Sequence, residues 1–410
     1  MSDNMDIIII GAGASGIVTA INAKNENNKV ILLEKNDRIG KKLLATGNGR
    51  CNYTNMNLTE KNYSSPDFVK RTLEEFTNED LINYFKILGL ESTRDGERVY
   101  PISLKANSVL NILIYWLEKK GIEIKTNTQV KEIKKRKKGY EVITNEETLK
   151  ADVVVAAFGG KAMPASGSDG VSFEILKKMG IRVTDLKPAL TQLKLDSKYL
   201  KHLSGTKVLG RARLLKDEKL VDEREGEILF TKYGISGPPI LDMSVNISDN
   251  NIIEVPLINN LNEDSIDMLY NRYYMFPDFS LEEYLLGIVD KKFIHYIVDS
   301  LNMDKNIAMN MIPVGDFEKI VGLLLKSRFR VTGNTGFKNA QVTRGGVSLD
   351  EVNPENYESK KFKDLYIIGE ALDIDGDCGG YNLHFAFGCG YRLGKILREK
   401  KQFAIEVKSD

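Results

Sequence analysis

The 410-residue sequence has few residues of the types that form disulfides or bind metals. Its cysteines are Cys51, Cys378 and Cys389. Three cysteines make an odd number and show no CxxC spacing, so a reducing cytoplasm is the simplest setting for the chain. Its histidines are His202, His295 and His384. They are scattered without ligand spacing, and we therefore predict no bound metal.

The sequence also has no excess of charge and no long apolar run. Lys and Arg number 58 against 57 Asp and Glu, and a formal net charge of +1 gives no general reason to bind nucleic acid or a membrane surface. The basic run at residues 134–138 is followed by Gly139 and indicates a solvated hairpin tip. No apolar stretch approaches a membrane span, and residues 1–6 do not form a cleavable signal. We expect a cytoplasmic enzyme with a small-molecule substrate and no nucleic-acid or membrane partner, and the oligomeric state stays open.

The N-terminal segment predicts a dinucleotide-binding unit. An apolar run at residues 7–10 leads into GAGASG at residues 11–16, where a helix would begin. Gly11 permits a tight turn, Gly13 lets the backbone approach a pyrophosphate, and Gly16 lets the helix pack closely on the sheet. The diphosphate would rest on the helix N-terminus, whose free N–H groups and positive dipole end favour an anion.

A second apolar strand at residues 30–33 ends in Glu34. At this distance from the glycines, a carboxylate accepts hydrogen bonds from ribose hydroxyls and repels a 2′-phosphate, so NADP is disfavoured at this site. Strand, helix, strand and acid in this order are more specific than an isolated GxGxxG motif.

Two later segments also read as a buried strand that ends in a glycine turn. Residues 365–368 would be a strand with its exit at Gly369, followed by a turn and a helix over about 382–398. Residues 152–157 would be another strand, and it ends in Gly159 and Gly160. An ordinary strand-to-loop exit explains this last turn equally well.

The sequence after Glu34 continues EKNDRIGKKLLATGNGRCNYTN. It resembles the glutathione-reductase-type FAD fold, in which an Arg and a Gly just after the acid, here Arg38 and Gly40, help to hold an extended flavin cofactor. In that superfamily a closing helix aims its N-terminus at the flavin pyrimidine edge, where N–H groups and the helix dipole stabilise the anionic reduced ring. The strand that ends in Gly159 resembles one that passes near the FAD.

Longer runs make the resemblance closer, namely KKLLATGNGRCNYTN, RVYPISLKANSV, TRGGVSLDEV and GEALDIDGDCGGYNLHFAFGCGYRLGK. They are similar to the BaiN/YhiN-type flavoproteins, whose members are described as aminoacetone oxidase-like or as NAD(P)H-linked bile-acid ene-reductase-like. The resemblance covers nearly the whole chain and implies FAD, with NADH or NADPH as a transient electron donor. The predicted cofactor-binding residues are Gly11, Gly13, Ala14, Ser15, Gly16, Glu34, Lys35, Arg38, Gly40, Thr46, Gly47, Asn48, Gly49, Arg50, Cys51, Val130, Gly159, Gly160, Gly369, Glu370, Asp377, Gly380, Tyr381 and Asn382.

Changes in periodicity predict the domain organisation. We expect an α/β fold with a discontinuous, Rossmann-like FAD-binding domain at residues 1–186 and 336–410. An inserted substrate domain would occupy residues 187–335. Alternating segments predict a β-barrel or sandwich at 187–260, and helical spacing predicts a cap at 261–335. The resemblance implies that substrate binds between the flavin face and the insertion.

A few residues are candidates for chemistry. His384, near the predicted flavin, is the one histidine considered as an acid or base, and a structural role is the alternative. Cys51 is more simply a packing residue than a redox group. Arg98 and Tyr100 are substrate candidates, although a surface turn explains them equally well. Asp377 lies in DIDGDCGG, which lacks the glycine and glutamate of a calcium loop at the required positions. A glycine-bounded turn near the cofactor explains its acids better, and we expect Asp377 to contact the ribityl chain or lie close to the phosphates.

The predicted activity is centred on the cofactor. The leading hypothesis is NAD(P)H-linked reduction of an activated C=C bond in a small or steroid-like substrate, with hydride passing through flavin N5. An alternative is an amine oxidase that reduces oxygen, and a second alternative is a non-catalytic flavin-binding or interaction protein. Because the sequence has no second GxGxxG unit, a nicotinamide donor would dock transiently over the flavin.

Overall fold

The structure is a computed structural model that describes residues 5–248, 250–262 and 264–406. Residues 1–4, which belong to the segment considered as a signal, lie outside the described part. The strands are β1 (Met5–Ile10), β2 (Asn28–Leu33), β3 (Thr54–Asn55), β4 (Ser92–Asp95), β5 (Arg98–Pro101), β6 (Glu123–Lys125), β7 (Val130–Lys135), β8 (Tyr140–Thr144), β9 (Thr148–Ala151), β10 (Val153–Ala156), β11 (Lys187–Ala189), β12 (Leu193–Asp196), β13 (Lys207–Lys216), β14 (Lys219–Thr231), β15 (Gly234–Ser236), β16 (Asn251–Val255), β17 (Ser327–Asn334), β18 (Val342–Arg344) and β19 (Leu365–Ile367). The α-helices are α1 (Ala14–Ala23), α2 (Lys41–Ala45), α3 (Pro66–Glu75), α4 (Asn78–Leu88), α5 (Ala106–Lys119), α6 (Phe173–Lys178), α7 (Leu200–Leu203), α8 (Pro238–Met243), α9 (Ser265–Met275), α10 (Leu281–Leu286), α11 (Lys291–Leu301), α12 (Val314–Leu325) and α13 (Tyr381–Glu406).

The central sheet is parallel and has the strand order β19-β10-β1-β2-β6. Its strands are nearly continuous apolar runs, such as MDIIII in β1 and VVVA in β10, whose side chains are buried. Such runs are typical of parallel strands that are covered on both faces. The strands predicted at 7–10, 30–33, 152–157 and 365–368 are therefore present, and the predicted α/β Rossmann-like fold is confirmed.

Helices α1 and α13 cross each other at close range. A Cβ at Gly390 would lie 2.5 Å from the carbonyl oxygen of Ser15, and one at Gly394 would lie 2.5 Å from the Cβ of Asn22. Glycine therefore allows the two backbones to approach. Helix α13 begins close to the predicted start and continues beyond the predicted end at 398.

Smaller antiparallel sheets lie beside the central sheet. Strands β7 and β8 form a hairpin, and β9 adds a third strand. The basic run at 134–138 covers the end of β7 and the following turn, where Gly139 has φ +69°. Strands β3, β5 and β4 form another small sheet.

The chain divides into two compact units. One contains the described residues up to Ala189 and from Ala340 onward, and the other is Leu190–Asn339. Both boundaries fall slightly later than 186 and 335. The first does so because β11 pairs with β18 and both strands belong to the first unit. In the following text, the first unit is called the Rossmann unit and the second is called the barrel unit.

The barrel unit is built on a closed antiparallel barrel in the order β12-β15-β14-β13-β16-β17. Along β13, buried and exposed residues alternate, as expected for a strand with one face toward the interior. Phe230, Ile253 and Phe329 belong to the buried core. The barrel that the sequence predicted is thus present, and its last strand, β17, follows the helical segment rather than preceding it.

The helical part of the barrel unit differs in detail from the sequence pattern. The helical spacing over 281–301 is divided between α10 and α11, because α10 ends at Gly287 and Asp290 caps a new helix by accepting from the backbone N–H of Lys292. The pair Pro238–Pro239 follows β15 and starts α8, where a missing N–H has no cost.

Candidate dinucleotide-binding site

A cavity lies along the carboxyl ends of the central strands in the Rossmann unit. Its walls include residues that directly follow β2, β1 and β10, namely Glu34, Gly11 and Ala157. It encloses about 1250 Å³ of empty space, part of which is open to solvent. Ligands of open α/β sheets bind in a crevice at this edge.

Glycines before α1 and in its first turn shape the floor of this cavity. A Cβ at Gly11, where φ is +105°, would lie 2.5 Å from the carbonyl oxygen of Ala157. One at Gly16 would lie 2.0 Å from the carbonyl oxygen of Gly11, so a side chain at either position would collide with backbone. Gly13 differs, since no described atom outside its neighbours lies within 4 Å of its Cβ position and it lines the cavity.

The N-terminus of α1 opens into the same space. Gly13 is its N-cap, and no described side chain caps the helix there. The N–H groups of the first turn therefore stay available to a ligand, and Ala14 and Ser15 line the cavity. These features fit the diphosphate of a dinucleotide, because an exposed helix N-terminus attracts an anion and Gly13 leaves room for it.

Glu34 is held firmly at the cavity wall. Its Oε2 accepts a hydrogen bond of 3.1 Å from the backbone N–H of Ala12. Its Oε1 accepts from the backbone N–H of Asn36 at 2.9 Å and from the Asn36 side-chain amide at 2.7 Å. The buried carboxylate is thus fixed in the position where the sequence predicted contact with a ribose.

The structure places half of the predicted cofactor residues on the cavity wall. Those that line it are Gly11, Gly13, Ala14, Ser15, Glu34, Lys35, Gly40, Thr46, Val130, Gly159, Glu370 and Asn382. The others do not line it, and these are Gly16, Arg38, Gly47, Asn48, Gly49, Arg50, Cys51, Gly160, Gly369, Asp377, Gly380 and Tyr381. Several of the latter shape the backbone instead; Gly160, for example, has no room for a Cβ beside Thr343 and Glu370.

A serine-rich wall of the cavity was not predicted from the sequence. After β10, the loop at residues 158–172 contributes Ser166, Gly167, Ser168 and Ser172 to the cavity. The Ser168 hydroxyl oxygen is buried and has no hydrogen-bond partner within the described structure. A buried hydroxyl needs a partner, so this oxygen is a candidate contact for a ligand. The small-residue run PASGSDG was the available signal.

This loop is attached to the segment that carries Glu34. The side-chain amide of Asn36 donates to the carbonyl oxygen of Ser166 at 3.1 Å, and Lys35 forms an ion pair with Asp169 at 2.7 Å. A Cβ at Gly167 would lie 2.3 Å from the Asn36 amide nitrogen, so only glycine permits this approach. The loop therefore closes one side of the cavity beside Glu34.

His384 lies outside the cavity wall and is fully buried. Its Nε2 is 3.0 Å from the carbonyl oxygen of Phe76, which can only accept, so Nε2 carries the proton and Nδ1 accepts from the Thr54 hydroxyl at 2.9 Å. Burial lowers the pKa of His384 to about 4. Both ring nitrogens are engaged by protein, which favours the structural alternative over an acid or base.

Cys51 is also buried, and burial raises the pKa of its thiol to about 12. A thiol that stays protonated is a poor nucleophile, which favours the packing role. The neighbouring Arg50 points elsewhere, with its guanidinium 4.7 Å from the ring centre of Tyr100. Tyr100 is buried, and neither it nor Arg98 lines the cavity, so the structure does not bring the two substrate candidates to this site.

The acidic residues of DIDGDCGG have protein partners. Asp375 accepts from the guanidinium of Arg344, Asp373 accepts from the Thr184 hydroxyl at 2.8 Å, and Asp377 accepts from the Asn62 amide at 3.3 Å. Within residues 5–248, 250–262 and 264–406, no group of three or more His, Cys, Asp or Glu is arranged to hold a metal ion. In the same described ranges, no helix combines the length and apolar character needed to cross a membrane.

The parallel sheet, the glycine cradle and the cavity at the strand ends define a Rossmann-type dinucleotide-binding protein. The chain belongs to the HI0933-like family, since the model of the HI0933-like protein Rossmann domain matches residues 5–396. The predicted resemblance to the BaiN/YhiN-type flavoprotein oxidoreductases is therefore confirmed.

Similar proteins include two relatives of nearly full length. The chain is 33% identical to the 3-dehydro-bile acid delta(4,6)-reductase of Clostridium scindens, over 96% of this chain and 98% of the relative. It is 26% identical to the ribosomal RNA dihydrouridine synthase of Escherichia coli, again over 96% and 98%. A solved structure of 3-ketosteroid delta1-dehydrogenase from Sterolibacterium denitrificans shares the fold, with a TM-score of 0.50 and 12% identity over 97% of this chain and 100% of the other.

Proposed function

We propose that this protein binds FAD and reduces a C=C bond conjugated to a carbonyl group, with NADH or NADPH as electron donor. One observation carries the proposal: a single cavity follows the strand ends from Glu34 past the α1 N-terminus to Glu370 and the start of α13. Its residues offer a ribose acceptor, an anion site and a further wall beyond the diphosphate. A complete dinucleotide needs these features in that order.

Each part of the cavity would hold a different part of the cofactor. The Glu34 carboxylate accepts from ribose hydroxyls, and the N–H groups of Ala14 and Ser15 bind the diphosphate. The unpartnered Ser168 hydroxyl supplies a further hydrogen bond. Asn382 presents the N-terminus of α13 to the remaining portion, where its dipole favours negative charge. FAD, when bound, supplies two-electron hydride transfer.

The chain's own contribution is binding, orientation and exclusion of water. Reduction of a conjugated C=C bond adds a hydride at one carbon and a proton at the other. We assign no proton-donor role to His384, because both of its ring nitrogens bond to protein groups. Apolar side chains, among them Ile374, Leu383 and Phe385, line the cavity and keep that part of it dry.

The relatives support this reaction class. The names of the C. scindens and E. coli proteins both denote loss of a C=C bond, and in uridine that bond is conjugated to a carbonyl as in an unsaturated 3-ketosteroid. We place a small steroid-like enone first because the bile-acid reductase shares the higher identity. A uracil base in RNA is the second candidate, supported by the E. coli relative, and it would reverse our expectation that nucleic acid is not a partner.

The first test is spectroscopic. The purified protein should show a flavin absorbance band at roughly 450 nm, and NADH or NADPH without oxygen should bleach it. Adding a 4-en-3-one steroid, or separately an unmodified ribosomal RNA transcript, should restore the band in proportion to the C=C bonds reduced. The arm that restores it identifies the substrate class.

Two other outcomes contradict the proposal. If the flavin resists both nicotinamides but is reduced by an amine, with peroxide formed in air, the protein is an oxidase. A protein that purifies without colour and takes up no flavin would instead be a non-catalytic interaction protein. Gly13→Ala provides the control for specific binding, because its methyl group would enter the cavity without touching the described protein atoms.

A further inference from the structure

An ion pair between opposite ends of the sequence lines the cavity. The Lys42 ammonium lies 2.5 Å from Oε2 of Glu370, and their side chains are 22% and 19% exposed. Lys42 belongs to α2, and Glu370 to the turn Gly369–Ala371 that follows β19. Both residues contribute to the cavity wall.

The sheet order locates this pair along the cavity. Glu34 follows β2, the cradle with Gly11 follows β1, and Glu370 follows β19, with β10 between β1 and β19. Neighbouring strands are roughly 4.8 Å apart, so the ends of β2 and β19 are separated by about 14 Å. If Glu34 binds the ribose and the cradle binds the diphosphate, the redox-active ring lies toward Lys42 and Glu370.

The carboxylate of this pair is less exposed than those paired with Lys41 and Lys35 at the same cavity, which are 69% and 36% exposed. Oε1 of Glu370 accepts from the backbone N–H of Thr343 at 2.9 Å, which orients the carboxylate toward Lys42. An oriented and partly buried charge is screened less by solvent than an exposed one.

We propose that Lys42 and Glu370 form a pair of opposed charges that sets the reduction potential of the bound flavin. This inference rests on the proposed function. On two-electron reduction, the nicotinamide donor loses a hydride and becomes its cation, and the neutral isoalloxazine gains that hydride and becomes an anion. The Lys42 ammonium stabilises this new negative charge, and the Glu370 carboxylate opposes it while it holds the ammonium in place.

The two charges therefore have opposite predicted effects. Lys42→Met should lower the equilibrium constant for two-electron reduction of the bound flavin by about tenfold, which corresponds to about 30 mV for a two-electron couple. Glu370→Gln should raise that constant by a similar factor. Lys42→Arg retains the charge and should leave it within about threefold of the starting protein. If the ion pair had only a structural role, the two variants would not change the equilibrium constant in opposite directions.

The experiment measures the midpoint potential of the flavin in each purified holoprotein by equilibration with a reference dye of known potential. Lys29→Met is the matched control, because it removes a lysine whose pair with Glu123 is exposed and lies between β2 and β6. Its potential should not change.

The inference would be overturned if Lys42→Met and Glu370→Gln moved the midpoint potential in the same direction. It would also be overturned if the equilibrium constant for flavin reduction changed by less than threefold in both variants. Either result would leave flavin binding intact. Should Lys42→Met lose its flavin, Glu370→Gln and Lys42→Arg decide the question by the same criterion. Failure of the starting protein to bind flavin would refute the proposed function itself, which is a different result.

Discussion

The two compact units bury their apolar residues in different ways, and only one arrangement leaves a ligand site at the strand ends. The Rossmann unit has an open parallel sheet, so the chain leaves each strand at the same edge and its loops diverge there. The barrel unit has a closed antiparallel barrel, whose interior is filled by side chains such as Phe230 and Phe329. Backbone turns therefore shape the candidate site in the first unit, whereas side chains fill the interior of the second.

The largest effect should come from the filled barrel. Phe230 is fully buried and its ring contacts those of Phe293 and Phe329. Phe230→Ala should reduce the free energy of unfolding by about 3–5 kcal/mol, because it leaves a cavity that the barrel cannot close. Urea denaturation measures this loss. Phe279→Ala, at a side chain 36% exposed, should cost much less, and equal losses would contradict a specific role of the barrel interior.

The next effect depends on pH and belongs to the Rossmann unit. The pKa of His384 is about 4 in the folded chain against 6.5 when exposed, so below pH 6.5 the unfolded chain binds more protons. Stability from the neutral ring is thus fully present above pH 6.5 and is lost as pH falls toward 4, by about 3 kcal/mol. The difference in unfolding free energy between the starting protein and His384→Gln should shrink over this range. If this difference did not change with pH, the pKa of the His384 ring would be the same in the folded and the unfolded chain.

A smaller effect on stability distinguishes Gly16 from Gly13, two glycines of the same GAGASG motif. Gly16→Ala should lower stability by about 1–3 kcal/mol, because its Cβ would lie 2.0 Å from a backbone oxygen. Gly13→Ala should leave stability nearly unchanged and weaken FAD binding at least tenfold, because its methyl group points into the cavity. Urea denaturation and flavin fluorescence titration distinguish the two. If both variants lose stability equally, Gly13 has a structural role rather than a binding one.

The smallest effect should be that of a surface ion pair. Lys29 and Glu123 join β2 to β6 at 2.9 Å, but their side chains are 55% and 39% exposed. Lys29→Met should change the free energy of unfolding by no more than about 0.5 kcal/mol, since solvent screens such pairs. A loss above about 1 kcal/mol in urea denaturation would show that this ion pair stabilises the Rossmann unit more than its solvent exposure suggests.

Local patterns in the sequence were sufficient for much of this architecture. The apolar runs of β1 and β2 and the glycines between them depend on neighbouring residues, so their spacing alone predicted them. Alternation likewise predicted strand β13 of the barrel. The order in which barrel strands pair was not predictable, because β17 joins β12 and β16 only after the whole helical segment has intervened.

The candidate site shows even more clearly what could not be predicted from the sequence. Motif residues such as Gly13 and Glu34 reach the cavity because the Rossmann pattern carries its own geometry. The partnership of Lys42 with Glu370, and the unpartnered hydroxyl of Ser168, depend on segments far apart in the chain. His384 shared its motif with true cavity residues, yet it faces Thr54 and Phe76 inside the protein.

The sequence by itself thus determined the family, the Rossmann pattern and the diphosphate cradle, because glycine spacing and apolar periodicity act over a few residues. Tertiary structure alone decided which polar side chains meet at the cavity and which are buried as neutral partners. Burial and pairing depend on the packing of distant segments, and burial, rather than residue type, holds the ring of His384 neutral inside the protein.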